Sequence, residues 1–121
     1  MALKRKNVAI TTTGSAGSAT GSGTIAVPNG VARLVAVDVD FGSVPATTDT
    51  TITADRGTVL TITNSNTDKT YYPRVPVQTS AGADVVGRAE EAPVVEGTLT
   101  ISLAQADAAS PAATIGVIFE I

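Results

Sequence analysis

The sequence predicts an all-β fold, an antiparallel β-sandwich of jelly-roll or Greek-key type with about eight strands, in a single domain covering residues 1–121. Three observations predict it. Threonine occurs 19 times and the apolar clusters are dominated by Val and Ile, side chains whose branched Cβ suits a pleated surface better than a helix. Apolar and polar residues alternate with period two in several segments, and turn-forming residues recur between them at roughly ten-residue intervals.

In chain order, the first strand is predicted over Lys4 to Thr12. A flexible Gly/Ser loop follows over residues 14–23, where Gly14, Gly17, Gly21 and Gly23 alternate with small residues that have nothing to pack. A short strand over Thr24 to Val27 should end in a turn at Pro28-Asn29-Gly30, because Pro presets φ and Asn-Gly tolerates positive φ. From Val31 to Phe41, Val31, Val35, Val37, Val39 and Phe41 share one apolar phase interrupted by Arg33, while Ala32, Leu34 and Ala36 give way to Asp38 and Asp40 in the other. The first half is therefore expected to be covered on both faces and the second half on one.

Further strands are expected at Thr50 to Ala54 and at Thr58 to Thr63, with Leu60 and Ile62 inward. Asn64 to Lys69 reads as a hairpin loop joining Thr58–Thr63 to a partner strand within Thr70–Val77, and a strand is read as far as Gln78. Pro73 and Pro76 lack ladder donors, which makes that partner an edge strand. Ser80 to Pro93 reads as a loop with a short strand at Val85-Val86, and Ala104 to Ala113 as an Ala-rich loop. Near the C-terminus, Leu99, Ile101 and Leu103 face in against Thr98, Thr100 and Ser102, and Ile115, Val117, Phe119 and Ile121 repeat the pattern. Two such neighbours suggest a hairpin or a pair within one sheet.

At 12.1 kDa the folded chain should expose about 6,000 Å² against about 17,500 Å² unfolded, enough burial for a core without staples. With few large hydrophobes that core is thin, and part of the apolar area is expected to be buried between subunits. The composition excludes whole classes of chemistry. The chain has no Cys, His or Trp, so disulfides, zinc or iron–sulfur ligation, thiol nucleophiles and the usual triads are ruled out. A net charge of −3 gives no electrostatic footprint for nucleic acid. The basic start, Lys4-Arg5-Lys6, leads into Thr11-Thr12-Thr13 rather than a signal-peptide core, and no apolar run approaches the length of a membrane span. The sequence thus predicts a soluble chain with no nucleic-acid or membrane partner and no cofactor.

Candidate sites remain few. The Gly-rich segment lacks the Lys-Ser/Thr pair and the following helix that a phosphate loop requires. Asp38 and Asp40 project from one strand face and could hold a cation or act as an acid–base pair, but a hard cation needs six or so oxygens and a solvated face explains both residues. Glu90, Glu91 and Asp84 with Asp107 could pair as in a glycoside hydrolase, yet the aromatic platform such enzymes use is missing at 3% aromatics. Lys4, Arg5 and Lys6 are candidates for contacting an acidic partner surface. Tyr71-Tyr72-Pro73-Arg74 is the most unusual feature. Alternation places Tyr72 with Arg74 and Tyr71 on the other face, so one ring should cap the core while the other packs on Arg, in a residue combination enriched at interfaces.

Several of these segments together resemble small virion proteins of tailed phages. The segments are Asp38-Val39-Asp40-Phe41, Pro45 to Thr53, Leu60 to Asn64, Thr67 to Arg74 and Gly97 to Ser102, with Tyr-Tyr-Pro-Arg the most specific. The resemblance implies a capsid decoration or cement protein, a non-enzymatic sandwich that binds the major capsid protein and itself as a homotrimer or homodimer. It implies synthesis in the host cytoplasm and residence on the capsid surface. Lys4, Arg5, Lys6, Tyr71, Tyr72 and Arg74 are the expected contact residues, with the Gly/Ser segment as a further contact arm. The alternative is a glycan-binding or adhesin-like sandwich module on a larger surface or tail assembly, with Tyr71 and Tyr72 as a stacking platform beside Asp38 and Asp40.

Overall fold

A computed structural model describes residues 2–76, 78, 80–84 and 90–121. Among them the chain is all-β and antiparallel throughout, with nine strands: β1 (Leu3–Thr12), β2 (Ala19–Phe41), β3 (Asp49–Ala54), β4 (Gly57–Ile62), β5 (Lys69–Tyr71), β6 (Val75–Pro76), β7 (Glu90–Glu91), β8 (Val94–Ala106) and β9 (Ala109–Glu120). The principal hydrogen-bonded path is β1-β9-β2-β8-β3-β4, with β5 also on β2, and β6 and β7 form a separate ribbon. No described helix is long and apolar enough to cross a membrane.

The path becomes a sandwich because β2 belongs to both layers. Its first half pairs with β8, from Ala19↔Ala106 to Ala26↔Thr98, and its second half pairs with β9, from Arg33↔Glu120 to Phe41↔Ala113. Only Asp107 and Ala108 separate β8 from β9, so Ala19 and Phe41 return to the same end of the molecule and β2 doubles back between them. The corner lies at Val27 to Gly30. There β2 advances from Ala26 to Val31 while β8 advances only from Thr98 to Glu96, and Asn29 and Gly30 take φ of 57° and 80°. The turn predicted at Pro28-Asn29-Gly30 is therefore a sheet-switching corner inside one strand, the device by which sandwiches make their edges.

One layer is β1, β9, the second half of β2, and β5; the other is the first half of β2, β8, β3 and β4. Ile10, Ile115, Val117, Phe119, Leu34, Val37 and Val39 face Ile25, Leu99, Ile101, Leu103, Ile52 and Ile62 in one buried cluster. Each such side chain contributes roughly 1.5–3 kcal/mol on burial. Total accessible surface is 6,399 Å², close to that of a compact monomer of this mass.

Several expectations are corrected. Residues 19–23 are strand, not loop, and the turn occupies only Gly14 to Ser18, closed by the Thr13↔Thr20 bridge. The glycines serve close approach rather than flexibility: a Cβ on Gly21 would strike the Thr11 carbonyl, and one on Gly23 would come within 2.9 Å of Val8 in the facing layer. Ala104 to Ala113 is also mostly strand, because the small side chains of Ala106, Ala112 and Ala113 are fully buried where the layers meet. Thr12 Oγ1 donates to the Asp107 carbonyl at 2.6 Å and accepts the Ala109 N–H at 3.1 Å, which fixes that connection. β8 and β9 are not partners but flank β2.

The predicted pairing of Thr58–Thr63 with Thr70–Val77 does not form. β4 pairs with β3, and β5 pairs with β2 through Val37↔Tyr71 and Val39↔Lys69. The segment read as a hairpin loop is a crossing between layers, held by Asn64 N–H on Asp49 (2.9 Å), Asn66 Nδ2 on the Val44 carbonyl (2.9 Å) and Phe41 N–H on Asp68 (2.8 Å). β5 pairs with β2 alone and ends before Pro73, while Pro76 falls in the separate β6–β7 ribbon. The first half of the Val31–Phe41 segment is not covered on both faces. A bulge between Leu34↔Phe119 and Ala36↔Ile118 shifts the phase, so Ala32, Leu34 and Ala36 are buried first and Val37, Val39 and Phe41 afterwards, leaving Val31 exposed. Ile62 is inward and Leu60 half-buried, whereas Ile121 is exposed. Within the predicted Ser80–Pro93 loop, Glu90 and Glu91 form β7, and the strand read at Val85-Val86 lies outside the described residues.

Candidate partner-binding site

The two ends of the sandwich differ in chemistry. At one end lie the Gly14–Ser18 turn and the Asp107-Ala108 connection, joined by Gly17 N–H on Asp107 Oδ1 (2.8 Å). At the other lie the β2 corner, the β3–β4 turn at Asp55-Arg56, residues 72–76 and the start of β8. Register places Leu3, Glu120, Arg33 and Val94 in one row across β1, β9, β2 and β8 at this second end. Every exposed large hydrophobe of the described residues is found here: Leu3, Val31, Tyr72, Val75, Val94 and Ile121. Exposed apolar residues gathered in one region, unlike scattered single ones, are a general feature of interaction surfaces.

Within this end is a cleft of ≈ 140 Å³, floored by Ala54, Val59 and Val95, walled by Pro73, Val75, Pro93 and Val94, and rimmed by Arg56 and Arg74. It is smaller than the roughly 300–1,000 Å³ that encloses a drug-sized ligand. Both rim arginines are oriented. Arg56 pairs with Glu96 (Nη2–Oε1 3.0 Å). Arg74 Nη1 donates to the carbonyls of Val35 (3.0 Å) and Pro73 (2.6 Å), and its guanidinium lies 5.8 Å from the centre of the Tyr72 ring. Arg33 Nη1 donates to the Ala92 carbonyl (3.0 Å) and lies 3.6 Å from Glu91. The lining of the cleft holds two guanidinium groups and a threonine hydroxyl among apolar side chains.

Sequence reasoning placed Tyr72 and Arg74 together, and the structure does the same: Tyr72 is 62% exposed and lies against Arg74, next in chain to Pro73 of the cleft wall. Tyr71 is half-buried against the core and covered by Lys69 Nζ at 5.1 Å from its ring. The two tyrosines therefore form no shared platform.

Two of the three basic side chains at the start of β1 make contacts within the fold. Lys4 is exposed, while Lys6 points inward from the edge and donates to the Ala26 carbonyl at 2.8 Å, closing the open side of the sandwich. Arg5 crosses the outer face of its layer to pair with Asp38, with Nε donating to Asn7 Oδ1 at 3.0 Å. It can do so because Asn7, Gly116, Asp38 and Thr70 lie in one row and a side chain on Gly116 would occupy the place of the guanidinium. Asp38 also accepts the Thr70 hydroxyl; that bond and the contact with Arg5 hold its carboxyl below the usual range against the opposing effect of burial. Asp38 is thus committed to a structural row, and Asp40 stands exposed beside it. No cluster of metal-ligating groups occurs among the described residues. The carboxylates considered as a hydrolytic group are dispersed: Glu90 and Glu91 lie near the apolar end, Asp84 accepts from Gln78 Nε2 (3.0 Å), and Asp107 is at the opposite end.

What sequence reasoning missed is the cleft. A signal was present, because Val94 falls in the outward phase of Thr98, Thr100 and Ser102 and is the one large apolar residue of that series. Compared with models of known protein families and with curated proteins, the chain matches none.

Proposed function

We propose that the chain is a non-enzymatic structural subunit of a bacteriophage virion, a capsid decoration or cement protein that self-associates and binds the major capsid protein shell. The observation that carries this reading is the collection of the exposed large hydrophobes at one end, two of which, Val75 and Val94, line a small cleft rimmed by arginines. Tyr and Arg over an apolar floor are the residues that dominate protein interfaces. The likeness of Tyr71-Tyr72-Pro73-Arg74 and its neighbouring segments to phage head proteins supports the same reading, and a rigid β-brick with one adhesive end meets the mechanical demands on a shell-binding subunit.

The experiment is co-sedimentation of the purified chain with phage capsids stripped of decoration protein. At micromolar protein the chain is expected to pellet with the shells, and Tyr72→Ala and Val94→Lys to reduce the pelleted fraction. Absence of pelleting by the wild-type chain overturns the proposal. Capture of oligosaccharides on a glycan array, lost on Tyr72→Ala, would instead support the binding-module alternative.

A further inference from the structure

We infer that the cleft at the apolar end is filled by the Tyr72 ring of a second copy of this chain. The inference rests on the reading of the chain as a self-associating subunit and names the contact that reading leaves open. A cleft of ≈ 140 Å³ is close to the roughly 150 Å³ that accommodates one benzene ring, which makes a single aromatic side chain its natural occupant. Such a side chain stands beside it: Tyr72, next in chain to Pro73 of the wall, is 62% exposed and packed on Arg74, whose guanidinium is itself fixed to two backbone carbonyls. The segment carrying Tyr72 also supplies Pro73 and Val75 to the wall of the cleft, so a copy's own ring stands beside the hole rather than in it.

A projecting ring next to a hole of ring size is a self-complementary surface, because a two-fold axis between them seats each ring in the other copy's cleft. Charge agrees with that occupant. The rim presents Arg56 and Arg74 beside Glu96, with the Arg33–Glu91 pair at the same end. A second copy therefore meets both signs of charge, whereas a surface of one sign would repel its own duplicate.

The test is sedimentation equilibrium of the full chain from about 1 to 500 μM, the range in which an interface of modest area becomes populated. The wild-type chain is expected to form a dimer, the closed assembly of a two-fold contact. Tyr72→Ala and Val94→Lys should each weaken association by at least about 30-fold, the scale of a hot-spot residue, while Tyr72→Phe preserves it. Because the chain has no Trp, Tyr72→Trp supplies a reporter whose emission should move to the blue as concentration rises. Circular dichroism of each variant separates lost contact from lost fold. A wild-type monomer over the whole range, or an assembly indifferent to both disruptive variants, overturns the inference. The capsid experiment fails independently: a Tyr72-dependent oligomer that ignores shells leaves this contact standing without the proposed function, and a monomer that pellets with shells does the reverse.

Discussion

At the scale of single residues, Asp38 shows how a charge that looks functional can be consumed by the fold. Its carboxyl is held below the usual range by the Thr70 hydroxyl and by Arg5, so its contribution to stability is complete above the unfolded-state pKa of about 3.9 and is lost as pH falls through its lower folded value. Asp38→Asn should therefore flatten that part of the acid-denaturation profile. Near neutral pH it should cost no more than about 1 kcal/mol, since the side chain is about one-third exposed at 32%. Urea titrations at pH 3 and pH 7 measure both. Gly116→Ala should have a similar acid signature, because its added methyl dislodges the Arg5 guanidinium from its route to Asp38. Thr50 presents the opposite case. Its hydroxyl is fully buried with no hydrogen-bond partner among the described residues, so Thr50→Val should raise the melting temperature by a few degrees, equivalent to roughly 1 kcal/mol from the removed desolvation penalty.

At the scale of elements, the strands themselves were legible and their partners were not. Alternation located β8 and β9 because one face of each is buried and period two is the direct imprint of that burial, while β1, β3 and β4 were marked by their spacing between turn signals. It also put Tyr72 and Arg74 side by side. Pairing depends on contacts distant in sequence, and a polar stretch such as Asn64 to Lys69 reads alike whether it closes a hairpin or carries the chain between layers. Glycine was misread for a related reason: Gly21 and Gly23 look like flexible linker in sequence, yet they are the places where β1 passes too close for a side chain. Gly21→Ala should accordingly destabilise by roughly 1–3 kcal/mol through overpacking against backbone that cannot retreat, while Ser22→Ala beside it, with its side chain in solvent, should stay within about 0.5 kcal/mol. Chemical denaturation of the pair isolates the contact from the general effect of altering a strand.

At the scale of the whole molecule, the division into an apolar end and a Gly/Ser end was invisible in sequence. Leu3, Val31, Val94 and Ile121 come from four remote segments that meet only once β2 has doubled back. The one part of that end legible beforehand was the contiguous Tyr-Tyr-Pro-Arg run. Phe119→Ala, by contrast, empties the most voluminous fully buried position and should cost about 3–5 kcal/mol. That is a large part of a small domain's stability, and it should appear as a collapsed thermal transition. The doubled-back β2 carries a kinetic consequence as well. Nearly everything from Leu3 to Phe41 hydrogen-bonds to Val94–Glu120, with the short β5 pairing at Val37–Val39 nearer in sequence, so the front third of the chain gains most of its ladder only once β8 and β9 have been made. Refolding should then be a single late event on the slow millisecond-to-second scale of proteins dominated by distant pairings, with no stable half-built species along the way.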